Sequence, residues 1–197
     1  QDRRHRDEQL DRALDLARGL DDATLLGDAL VGAGVALSRS GQGVAGIALY
    51  EQALALFQQQ RLWRQALSTL NNLGINHKNL GRPEQSLACY EQALALTEQH
   101  PELADYAALL RSNLSEPLLQ LGRLAEARTV AERALADLRA KGQQPGQMSA
   151  GIGLARVLLE CGEPDAAQTL LDEAAQLAEQ LGDRLQAERA HQQLYAL

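Results

Sequence analysis

Between residues 64 and 100 the chain alternates apolar and polar positions with a helical beat. In RQALSTLNNLGINHKNLG, residues Ala66, Leu67, Leu70, Leu73 and Leu80 fall on one face of an amphipathic helix. Gly81 follows, free to take the positive φ that closes a helix. Pro83 then presets φ for the first turn of a second helix, whose apolar face is Leu87, Tyr90, Ala93, Leu94 and Leu96. The pattern predicts a hairpin, helix A over 64–80 and helix B over 83–99. The same grammar predicts A helices at 24–40, 104–121 and 146–161 and B helices at 43–60, 124–140 and 164–181. Half-units near 4–19 and 184–197 flank these four hairpins.

The hairpins are copies of one unit. Ala13, Ala53, Ala93, Ala134 and Ala174 recur at steps of 40, 40, 41 and 40 residues, and Gly41, Gly81, Gly122 and Gly162 keep the same step. A fixed period of this length marks a stack of helical repeats rather than a conventional globular core. Residues 1–197 are therefore read as one repeat domain, with repeats at 24–60, 64–100, 104–140 and 146–181. The stretch 141–147, with Pro145 and two glycines, is the longest linker and the expected flexible joint.

Composition agrees with an all-α fold. Apolar residues make up 45% of the chain but aromatics only 3%, so the core is built from Leu and Ala and a sheet is not expected. A formal charge of −7 argues against nucleic acid or an anionic membrane as partner. No apolar run is long enough to insert into a bilayer. Cys89 and Cys161 lie far apart with no CxxC spacing, which fits two packing residues in a reducing, cytoplasmic setting. The four histidines form no i, i+4 pair and no nucleophile is placed beside a base, so no catalytic residue, metal ligand or cofactor is assigned. The chain begins with Gln and its single Met is at 148, as expected for a piece of a longer protein.

Leu73, Gly74, His77, Gly81, Ser86, Tyr90 and Ala93 together resemble the tetratricopeptide repeat pattern, and the other hairpins keep parts of it. His77 stands where the family has Tyr; Ser115 and Ala155 replace its second Gly; Arg111 and Gly151 replace a large apolar residue. The longer period resembles the tetratricopeptide regions of bacterial multidomain regulators. The final ERAHQQLYAL resembles the last helix before an output domain in sensors such as GGDEF diguanylate cyclases. The resemblance implies a solenoid of paired helices whose A helices line a concave groove for a protein or peptide. Its inward positions give Asn71, Asn72, Lys78, Asn113, Glu116, Arg156 and Gln192 as candidate binding residues. Amide side chains both donate and accept, which suits an extended peptide backbone. The carboxylate clamp of some family members is not matched, since only Arg156 fits it. The competing readings are a self-association scaffold, a homodimer paired through Tyr195 and Leu197, and a small-effector sensor. Two further features stand out: Pro117 inside a predicted helix, expected to kink it, and the lone Trp63 at a helix start.

Overall fold

The computed structural model describes residues 22–183, 187–188 and 190–192, together with Asp15 and Gly19. The half-unit 4–19 and the tail with Tyr195 and Leu197 thus lie almost wholly outside the described residues. Among those described, all regular structure is helical. The order is α1 (Ala23–Arg39), α2 (Gly43–Gln59), α3 (Trp63–Asn79), α4 (Pro83–Gln99), a 3-10 turn (Pro101–Tyr106), α5 (Ala107–Gln120), α6 (Leu124–Ala140), α7 (Gln144–Glu160) and α8 (Pro164–Leu181). The chain divides into two compact units between His100 and Pro101. In the first, hairpins α1–α2 and α3–α4 stack through α2 on α3; in the second, α5–α6 and α7–α8 stack through α6 on α7.

The repeated glycines do what their spacing predicts. Gly41, Gly81, Gly122 and Gly162 have φ of 82°, 67°, 71° and 78°, a left-handed conformation that costs a residue with a Cβ. The next residue's N–H donates to the carbonyl five positions back: Gln42 to Leu37, Arg82 to His77, Arg123 to Leu118 and Glu163 to Leu158, at 2.8–3.0 Å. The turns that follow α6 and α8 use the same latch, with Gly142 at 64° and Gly182 at 69°. Between α2 and α3 that position is Arg61, held at 57°.

Two expectations about linkers are corrected. Residues 141–147 are not a long joint: α7 already begins at Gln144, leaving only 141–143 as the turn. Pro145 lies in the first helical turn, where its missing N–H has no intrahelical partner to lose. The irregular connection is instead Pro101–Tyr106, so the third A helix starts as α-helix at Ala107 rather than 104. His100 before Pro101 is extended, at φ −127° and ψ 92°, as a following proline demands. The extra residue of the one 41-residue step falls in this stretch.

The alanine column is core. Ala53, Ala93 and Ala134 have no exposed surface and Ala174 very little. Elsewhere the repeats trade bulk between the two helices of a hairpin. Gly27 on α1 faces the Phe57 ring, and a Cβ on Gly27 would lie 2.4 Å from it. The equivalent pairs are Leu67 with Thr97, Ala108 with Leu138 and Met148 with Ala178, all buried. Likewise Gly34 lies under Tyr50 and Gly74 under Tyr90, where an added Cβ would come within 2.7 Å of either ring. The second unit has Ser115 with Ala131 and Ala155 with Leu171 instead. Bulk is traded within the pair at each of these places except Ser115 with Ala131, where both residues are small. Pro117 is buried in the last turn of α5, which continues to Gln120.

Candidate binding strips on the A helices

In the first unit the strip runs along α1 and α3. Asn71, Asn72 and Lys78 are each half-buried on α3, and between them Ile75 keeps 36% of its surface exposed. Val31 and Val35, half-buried on α1, pack against Ile47, Tyr50 and Leu73 and extend the apolar character of this side. The arrangement combines donors and acceptors from two amides, one cation and an accessible branched apolar side chain.

In the second unit the strip is differently charged. Asn113 is half-buried on α5, and one turn on Glu116 accepts from the Arg156 guanidinium on α7 and from Gln120 Nε2 at 3.4 Å. Two sequence-predicted residues are thus brought together as an ion pair that spans neighbouring repeats. Leu109, 37% exposed, is the large apolar residue on this strip. Gln192 is exposed near the end of the described chain.

Sequence reasoning missed Asn76. It is buried, and its Nδ2 donates to Ser38 Oγ at 2.9 Å and to the Gly43 carbonyl at 3.0 Å, while Ser38 Oγ donates to the Gly34 carbonyl at 2.7 Å. An amide on α3 is thereby fixed to both helices of the preceding hairpin. The available signal was its column, which is otherwise Ala36, Pro117 and Val157. A buried polar group in an apolar column needs partners, and here it has two.

Trp63 is half-buried and stacks on His100, ring centroids 4.8 Å apart and planes 25° from parallel. It therefore closes the end of the α3–α4 hairpin on its own partner helix. The His77 imidazole has a buried Nδ1 with no hydrogen-bond partner. Burial, aided by the Arg82 charge and opposed by Glu51, holds its pKa below the ordinary value. Cys89 is half-buried and burial pushes its thiol up to about 11, which keeps it protonated and unreactive. Among the described residues no group of His, Cys, Asp and Glu is placed to hold a metal, and no helix is long and apolar enough to cross a membrane.

A family model described as tetratricopeptide repeat matches residues 25–99 and 65–140, and a second of that description matches 148–173. The chain belongs to the tetratricopeptide repeat family. No curated protein sequence matches it significantly. Among solved structures it is similar to BtubC from P. vanneervenii, with 23% identity and a TM-score of 0.75 over 92% of this chain and 75% of that one. It also resembles a Rap protein complexed with Competence and Sporulation Factor, at 18% identity and TM-score 0.76 over 94% of this chain. A Rap conjugation gene regulator solved in complex with a peptide gives 18% and 0.77 over 92%. The chain spans only 54% and 50% of those two Rap chains. At these identities the likeness establishes the fold.

Proposed function

We propose that this chain is a non-catalytic regulatory module of a larger bacterial signalling protein, cytoplasmic, which holds an extended peptide or protein segment along its A helices. The observation that carries this reading is the α3 strip, where Asn71, Asn72 and Lys78 surround the accessible Ile75. Amides can bond a peptide backbone in either sense, Ile75 offers an apolar contact, and Lys78 can pair with an acidic side chain. Asn113, Glu116, Arg156 and Gln192 extend the proposal to the second unit, and the repeat beat supports treating 1–197 as one repeat domain. A peptide-bound Rap regulator with the same fold supports it further.

The test is selection of a displayed peptide library on the full chain, followed by titration of an enriched peptide. Asn71→Ala with Lys78→Ala is expected to weaken binding by about tenfold or more. Unchanged affinity would remove the strip from the proposal. Native mass spectrometry of the same chain reads the alternatives: a dimer with nothing bound favours the scaffold, and a bound metabolite favours the small-effector sensor.

A further inference from the structure

The large apolar residue that fills the middle of an A helix is Leu30 in the first hairpin and Leu70 in the second, each 2% exposed. In the third it is Arg111, which reaches out to Asp137 Oδ2 at 3.1 Å. In the fourth it is Gly151, itself buried and with no side chain of its own. A Cβ placed on Gly151 would find its nearest neighbours, Ala174 Cβ and the Leu170 carbonyl, at an easy 3.7 Å. The space left behind is an open pocket between α6, α7 and α8, of ≈ 300 Å³ counting its mouth.

Its chemistry is two-sided. Leu135, Leu170 and Leu177 line it, and Arg139 and Glu173 stand among the lining residues as an ion pair joining α6 to α8. Both charged side chains are about half exposed, at 50% and 55%. A pair so exposed contributes little to stability.

We propose that this pocket binds a free α-amino acid with a short branched aliphatic side chain, leucine or valine in type. The side chain would occupy the space that Leu30 and Leu70 fill in the first two hairpins. Its carboxylate would accept from the Arg139 guanidinium while its ammonium donates to Glu173, replacing one ion pair by two. The part that water-sized spheres can enter is only ≈ 60 Å³, room for a few waters or one short branched side chain and for nothing larger. A residue inside a peptide offers neither charge, and a chain terminus offers only one. The dipolar amino acid is the species that satisfies both members of the pair.

Isothermal titration of the full chain with L-leucine, 4-methylpentanoic acid and isoamylamine tests this. Saturable binding of L-leucine is expected, with each singly charged analogue weaker by about tenfold or more. Gly151→Leu, which fills the pocket, should abolish binding while leaving the melting temperature equal or higher. Arg139→Gln, a surface change that leaves the fold intact, should weaken leucine by about tenfold or more. Asn71→Ala should leave it unchanged, which separates this pocket from the α3 strip. No saturable heat with L-leucine, equal affinity for the analogues, or leucine affinity left unchanged by either pocket variant would overturn the proposal.

Discussion

In the first unit α3 is fastened to the hairpin before it by a neutral, buried amide: Asn76 on Ser38 and on the Gly43 carbonyl. In the second, α7 is fastened to α5 by a charged pair, Arg156 on Glu116, and further pairs cross between elements, Arg111 with Asp137, Arg128 with Glu163 and Lys141 with Asp105. The aromatic-over-glycine packing of Tyr50 and Tyr90 also belongs to the first unit, while Ser115 with Ala131 and Ala155 with Leu171 take those places in the second. The turns inside the hairpins are nevertheless the same, down to the glycine latch and its hydrogen bond. The lesson is that the repeat specifies where the backbone goes. What ties one hairpin to the next is left to local solutions, because each touches only its neighbours.

The sharpest way to probe that difference is to move one solution into the other unit. Gly74→Ala presses a methyl into the Tyr90 ring and is expected to cost about 1–3 kcal/mol. Tyr90→Leu should cost a comparable amount by opening a void. Together they install the Ala155–Leu171 arrangement, so the double variant should recover about 1 kcal/mol or more relative to the sum. Denaturant titration of the four proteins measures the coupling, and strict additivity would mean that the pairing by size carries no energy.

Removing the ties themselves comes next. Asn76→Val, borrowing the Val157 of the equivalent column, removes the bonds to Ser38 and to the Gly43 carbonyl and should cost about 1–3 kcal/mol, independent of salt. Arg156→Gln is expected to cost about 1 kcal/mol or less, and its cost should shrink as salt rises. Unfolding midpoints at low and high ionic strength distinguish the two; equal salt dependence would erase the contrast between the units.

The smallest effect is one of pH. Burial lowers the native pKa of His77 below its ordinary value of 6.5, so the unfolded chain holds the proton more tightly. The contribution of His77 is therefore complete above that value and is lost as pH falls through it toward the lowered native one. His77→Tyr, which restores the residue type the family uses, should flatten the fall in melting temperature between neutral and mildly acidic solution. A parallel fall in the two proteins would mean that the imidazole is not strained by its surroundings.

What could be read from sequence follows from the range of the interactions involved. The helix ends were legible because a left-handed turn favours glycine, and Gly41, Gly81, Gly122 and Gly162 sit at fixed intervals. Arg61 was not, since an arginine advertises no such conformation. Pro145 misled because proline breaks a helix interior yet starts a helix well, and only its neighbours decide which. Asn71, Asn72 and Lys78 could be placed on a face through the resemblance to the family's inward positions. Asn76 could not be understood that way, because its partner Ser38 lies 38 residues earlier and on another helix. The pocket was half legible: Gly151 visibly departs from the pattern, but whether its neighbours close over the gap is a question of packing that a single sequence leaves open.

The trade of bulk within hairpins also bears on how such chains diversify. Gly27 needs Phe57 and Met148 needs Ala178, so large and small are matched inside a hairpin and mismatched across hairpins. A recombination that exchanged single helices would set Leu67 against Phe57, or leave Gly27 facing Thr97. One that moved whole hairpins would carry each protrusion together with its recess. The unit whose packing is self-consistent is then the pair of helices, which is the same length as the period of about 40 residues in the sequence.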